Sequence, residues 1–388
     1  MPRLAILSLL LAATVTSYAE EGVTADEIVI GQCAALTGPA AGLGSGMRDG
    51  LTACFTEVNA AGGIAGHRLR LVSVDDGYEP ERCIAGTLQL LDQTHVFALS
   101  GYVGTPTAKV AVPIINERKV PLVGAFTGAA VVRHPEGSTE PHRYIFNVRA
   151  SYDNETEALV ERFITDLGAK RFAVMYQNDA FGLAGLGGVE RALAKRSQTL
   201  VKKASFERNT VAIKKGLADI LDSEPDAVVV VGPYKPVAAF LAAAHAAGLT
   251  AKIATISFVG TENLIAEAGP AADGVIISQV VPSPAATTVP VVAQYRAALA
   301  KVPDAHPGYV SLEGYLSGRV LVAALQQAMT GAAPLTRESL VTACEGLHNL
   351  DLGGFPVAYD AAHHQASERV FITVIQQGAA VPVERLQK

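Results

Sequence analysis

The chain has 388 residues, 49% of them hydrophobic, with a formal net charge of -6 and four cysteines. That length and apolar share allow a large buried core and favour about two domains, while a mildly acidic chain without a basic stripe does not suit nucleic acid. Beyond the N-terminus no stretch reaches ~20 apolar residues without a charge or turn former, so no membrane-spanning helix is expected.

The opening "MPRLAILSLLLAATVTSYAEEG" carries an early Arg3, an apolar core from Leu4 to Val15, and small residues Ser17 and Ala19 before Glu20. This pattern predicts a signal peptide cut after Ala19 and export to the periplasm. Cys33 lies too far downstream to serve as a lipid anchor.

The next segment, "GQCAALTGPAAGLGSGMRDG" at residues 31 to 50, raises the question of a nucleotide loop, because it follows an apolar run and leads into a helical pattern. A dinucleotide fingerprint needs G-x-G-x-x-G. After Gly42 and Gly44 the third place holds Met47, and after Gly44 and Gly46 it holds Asp49. Asp75 and Asp76 lie too far along to be the ribose acid, and no phosphate loop of the G-x-x-x-x-G-K-[ST] type exists. No nucleotide or other cofactor is expected.

Further along, "EIVIGQC", "LRLVSVDD", "VFALSGY" and "VPLVGAF" alternate with segments of helical period, which specifies a parallel sheet covered by helices. After "YIFNVRA" the runs "RFAVMYQ", "DAVVVVGPY", "KIATISFVG" and "GVIISQVVP" repeat the design. The segment "VVPSPAATTVP" suits an extended return crossing, helices are predicted near 289 to 302, 310 to 330 and 336 to 347, and the tail from Phe355 reads as a hairpin. The fold class is therefore α/β, with two lobes, several crossings and a cleft at the carboxyl ends of the strands.

With no Cys-x-x-Cys and no zinc spacing, the cysteines of an exported chain favour a disulfide over a metal site. Cys54 in the first helix and Cys83 at the start of the second are expected to pair, on the premise that both helices cover one sheet face. Cys33 is expected to be a small core residue, and His363 and His364 solvated members of a polar turn.

Taken in order, "IVIGQCAALTGPAAGLGSGMRDGLTACFTEVNAAGGIAGHRLRLVSVDDGYEPERC", "GYVGTPTA", "VPLVGAFTGAA", "NVRASYDNE", "YQNDAFGLAGL", "VGPYKPVAAFLAAAHAAGL" and "SFVGTENL" resemble the leucine/isoleucine/valine-binding type of periplasmic solute receptor that serves ABC importers. The resemblance covers nearly all of the chain after the leader. It implies a type I periplasmic binding fold with three crossings: residues 20–148 with 283–353 in the first lobe, and 149–282 with 354–388 in the second. It also implies a small-molecule ligand, ABC permease subunits as partners, and a monomer.

By that resemblance the ligand's α-carboxylate is held by Thr105 and by donors from Phe126, Thr127 and Gly128, while Glu262 takes the ammonium. Tyr234 matches a cleft tyrosine, and Leu43 falls where an aromatic wall can stand. Phe181 replaces a family tyrosine, which removes a hydroxyl from the amino-acid contact set. Independently of the family, Thr105 before Pro106 reads as an N-cap whose hydroxyl and nearby amides form a natural carboxylate seat.

Catalysis is not expected, since there is neither a G-x-S-x-G elbow nor an H-E-x-x-H motif. A branched-chain amino acid is the expected ligand. An aromatic or short-chain carboxylic acid, an amide, or a ligand-sensing role for the same fold are the alternatives.

Overall fold

The computed structural model describes residues 20–387, so the predicted signal peptide lies outside the described residues. Strands β1 (Glu27–Ala34), β2 (Arg68–Asp75), β3 (Ala98–Ser100), β4 (Leu122–Val123) and β5 (Ile145–Phe146) alternate with helices α1 (Ala41–Ala60), α2 (Pro80–Asp92) and α3 (Thr105–Arg118). These strands form an all-parallel sheet in the order β2-β1-β3-β4-β5.

The second unit runs α4 (Tyr152–Thr165), β6 (Phe172–Gln177), α5 (Ala180–Ala194), β7 (Leu200–Phe206), α6 (Lys214–Leu221), β8 (Ala227–Val231), α7 (Tyr234–Ala246), β9 (Lys252–Thr255), α8 (Thr261–Ala268) and β10 (Ile276–Gln279). The chain then supplies α9 (Pro290–Leu299), α10 (Tyr309–Ala328), α11 (Arg337–Glu345) and the short pair β11 (Leu350–Asp351) and β12 (Pro356–Val357). It closes with β13 (Phe371–Gln376) and β14 (Ala379–Pro382), which join the second sheet antiparallel in the order β14-β13-β10-β9-β8-β6-β7. Ala227 to Val231 of β8 are all buried, as a central parallel strand covered on both faces requires.

The glycines of residues 31 to 50 serve packing. A Cβ on Gly50 would overlap the Ser311 carbonyl of α10, and one on Gly314 of α10 would overlap the Met47 backbone of α1, so the two glycines let these helices lie backbone to backbone. Gly42 abuts Asn263 of the other lobe.

Three crossings join the lobes. The first follows β5, and the second follows β10 through two successive turns, in which Ala286 N–H donates to Ser283 C=O and Val289 N–H to Ala286 C=O, rather than through the extended strand its prolines suggested. Phe355, Val357, Tyr359 and Ala366 pack in the first lobe's core, so the third crossing follows Ala366 and not residue 353 as expected, because the β12 segment and the turn after it stay against the first lobe. It runs beside the first: Asn147 N–H donates to His364 C=O at 2.8 Å, and Ala366 N–H to Asn147 C=O at 2.8 Å.

Two side-chain expectations need correction. All four cysteines are buried, and the Cys54 sulfur lies against Gly318 of α10 while Cys83 neighbours Cys33. Neighbours of β1 alternate between sheet faces: Gly31 and Cys33 look toward α2, whereas Gln32 meets Gly101, which abuts Leu51 of α1. Helices α1 and α2 thus cover opposite faces, and Cys54 cannot reach Cys83. His363 is exposed as expected, but His364 is buried and stacks on Phe146 at 4.1 Å between centroids.

Candidate ligand site between the lobes

Helix α3 starts where β3 ends, at the face the first lobe turns toward the second. The cap is Gly104, with φ 101°, so Thr105 occupies the first helical position instead of the cap itself. Its hydroxyl lies 2.7 Å from that of Thr127, and both residues are fully buried. Thr127 Oγ1 also accepts the Ala129 N–H at 3.2 Å. One hydroxyl proton joins the two threonines, which leaves the other proton and the first-turn amides of α3 to meet an acceptor.

The loop amides contribute less than the sequence suggested. Phe126 N–H donates to Tyr102 C=O at 2.7 Å and Thr127 N–H to Ala125 C=O at 2.9 Å. Gly128 supports the hinge side: its carbonyl accepts from Tyr152 N–H at 2.9 Å and Arg133 Nε at 3.4 Å.

Aromatic rings from both lobes close over this point. Phe258, in the single turn between β9 and α8, lies 4.4 Å from Phe181, 5.2 Å from Phe126 and 6.1 Å from Tyr78, and Phe181 lies 5.5 Å from Tyr152. Tyr78, Tyr152 and Phe258 were not singled out from the sequence, nor was Arg149, whose guanidinium lies 5.0 Å from the Phe126 ring centre. Tyr78 adopts φ 65° and packs over Gly104. Such a backbone angle in a bulky residue has no sequence signal other than the preceding Gly77. A groove of about 460 Å³ opens beside the cluster, bordered by Gly128, Ala129, Tyr152, Ala180 and Leu183.

The remaining predicted residues form three further contacts between the lobes. Gly42 N–H donates to Tyr234 Oη at 3.3 Å, and Leu43, fully buried, abuts Gly260. Glu262, in the first turn of α8, accepts the Tyr309 N–H at 3.1 Å at the start of α10. Burial pushes its carboxyl above the ordinary glutamate range, two backbone amides oppose that rise, and no lysine or arginine pairs with it among the described residues. An acid so placed gains from a cation.

Behind the cleft, Arg149 lies fully buried between the lobes. It donates to Glu155 at 2.9 Å and to Ser257 Oγ, and sits 3.6 Å from Glu313 of α10. Glu155 further accepts from Ser257 N–H at 2.8 Å and from Ser278 Oγ at 2.6 Å. This network fixes the hinge. At the cleft edge Arg208 reaches Glu79 at 2.7 Å and Asn209 Nδ2 donates to Glu79 at 2.6 Å, while Gln177 Nε2 donates to Tyr78 Oη at 3.3 Å. Contacts of this number across one cleft describe lobes closed on each other.

Two α/β lobes, three crossings and a buried, polar-tipped aromatic cluster between them define a hinged receptor for a small molecule. The family model for periplasmic binding proteins matches residues 27–380, and the chain belongs to that family. The family is one of solute-binding receptors, not of enzymes. Among curated relatives, an amino acid binding protein of Pseudomonas aeruginosa is 27% identical over 63% of this chain and 64% of its own length, so the chain spans slightly under two thirds of that relative. The leucine-, isoleucine-, valine-, threonine- and alanine-binding protein of the same organism is 26% identical over 70% of this chain and 71% of its own length. Among solved structures, a possible leucine/isoleucine/valine-binding protein from Rhodopirellula baltica superposes with a TM-score of 0.87 at 34% identity, covering 95% of this chain and 98% of that one.

Proposed function

We propose that this protein is the periplasmic substrate-capturing receptor of an ABC importer, closing its lobes on an α-amino acid of the branched-chain type and presenting it to permease subunits. The observation that carries this reading is the buried Thr105–Thr127 hydroxyl pair at the start of α3, with one proton left for a carboxylate and an apolar, aromatic wall beside it. Glu262, half-buried and without a lysine or arginine partner among the described residues, supplies the acid that an ammonium group needs. The names of the relatives support the same ligand class.

A second reading rests on two observations. Glu262 already accepts an amide at the start of α10, and Phe181 stands where a tyrosine hydroxyl was expected. A carboxylic acid without an ammonium group, aromatic or short-chain, would use the threonine pair and the rings and leave Glu262 to clasp the lobes.

A thermal-shift screen with leucine, isoleucine, valine, their deaminated acids and benzoate separates the two. A ligand at a hundred times its Kd stabilises by roughly 2.7 kcal/mol. The first reading expects the amino acids to shift the midpoint and the deaminated acids to fail. The reverse order assigns the second reading, and no shift with any of these compounds refutes both.

A further inference from the structure

On the face of the first sheet away from α1, three buried side chains converge at the edge of the cleft. The sulfurs of Cys33 and Cys83 and a carboxylate oxygen of Asp76 all lie within 4.8 Å of one another, and all three residues are fully buried. Cys33 Sγ is 3.8 Å from Asp76 Oδ2 and 3.9 Å from the Cys83 carbonyl oxygen. Gly86, one helical turn after Cys83, leaves the room that the Cys33 sulfur occupies. Cys54 and Cys344 are remote from this cluster, on α1 and α11.

Between the two cysteines lies the turn that serves the cleft. Asp76 Oδ1 accepts the Tyr78 N–H at 2.8 Å, Glu79 N–H donates to Asp76 C=O at 3.0 Å, and Cys83 N–H donates to Glu79 C=O at 3.0 Å. Tyr78 enters the aromatic cluster, and Glu79 receives Arg208 and Asn209 from the second lobe. A bond between β1 and α2 would hold both ends of that turn.

We propose that Cys33 and Cys83 form a disulfide that ties the end of β1 to the first turn of α2 and fixes the 76–79 turn at the cleft. The two thiols give up two protons and two electrons to a disulfide oxidant such as glutathione disulfide, which leaves as two thiols. Exchange passes through a mixed disulfide on one cysteine that the thiolate of the other displaces. Its hydrogen bond with Cys83, and after that burial, push the Cys33 thiol far above its ordinary range, so the exchange belongs to folding, before the helix covers it. The two sulfurs already lie within 4.8 Å of each other, so the remaining step to a bond is a local closure between β1 and α2.

The test is to refold the reduced full chain with glutathione disulfide, count thiols in denaturant, and map peptides without reductant. The expected result is two remaining thiols, Cys54 and Cys344, one peptide linking Cys33 to Cys83, and a melting midpoint several degrees lower after reduction. Cys33→Ser should abolish that dependence on reductant and Cys54→Ser should keep it. Should Cys33→Ser not fold, the wild-type thiol count and linked peptide still decide. Four free thiols, any other linkage, or a reduced protein that retains one equivalent of Zn²⁺ and then resists glutathione disulfide would each overturn the proposal, the last assigning the cluster to a cation.

Discussion

At the start of α3 two hydroxyls share one hydrogen bond, and the unshared proton sets what the cleft can accept. Because the Phe126 and Thr127 amides are already engaged, a bound carboxylate would depend on Thr105 and the helix amides more than sequence reasoning assumed. Hydrogen bonds to charged groups contribute about 1.5–3 kcal/mol, so Thr105→Ala should weaken leucine roughly ten- to hundredfold. Glu262 tests the other end of the ligand. Removing one partner of a buried charged pair costs roughly 2–5 kcal/mol, so Glu262→Gln should raise the leucine Kd at least tenfold and leave 4-methylpentanoate, the deaminated analogue, nearly unchanged. Calorimetry on both variants with both ligands reads this directly. Equal losses for the two ligands would make Glu262 a clasp between α8 and α10, as its bond to Tyr309 also permits.

Among elements, the hinge is where charge meets burial. Arg149, Glu155 and Glu313 come from the first crossing, from α4 and from α10, so each part of the closed structure contributes one member. Burial pushes the Glu313 carboxyl up from 4.5 to about 7, with Arg149 opposing and Glu155 adding to the rise. A carboxyl raised on folding stabilises fully below its unfolded value and loses that contribution as pH rises through its folded value. Stability from Glu313 should therefore fall between about pH 4.5 and 7. Denaturant titrations at several pH values should show a shallower slope over this window in Glu313→Gln than in the wild type, and identical slopes would refute the assignment. None of this was legible in the sequence, since nothing in "NVRASYDNE" or "SLEGYL" marks Arg149 and Glu313 as partners across the chain. Alternation of buried strands and helices was legible, because parallel strands such as β8 must be continuously apolar. So was the placement of Thr105 at a helix start after a strand end. Sheet-face parity was not: whether a helix lies above or below β1 depends on the crossover, and that error misplaced the partner of Cys83. Phe258 escaped notice because a one-turn helix after β9 has no periodic signal.

For the molecule as a whole, the closed arrangement is held at its rim by contacts whose strength can be bounded. Arg208 and Glu79 are partly exposed, at 25% and 38%, and bridge β7's following loop to the start of α2. An exposed pair of this kind contributes ~0.2–1 kcal/mol and weakens with salt. Asn209 adds a second bond to the same carboxylate. Since a ligand enclosed by two lobes leaves only when they part, the rim should act on departure more than on arrival. Glu79→Ala should raise the leucine off-rate about two- to fivefold with the on-rate nearly unchanged, and high salt should shrink the difference between variant and wild type. Stopped-flow displacement at low and high ionic strength measures both. The cleft itself, with Thr105 and Glu262 intact, is untouched by the substitution, so an unchanged off-rate in Glu79→Ala would mean that the hinge network around Arg149, and not the rim, governs opening.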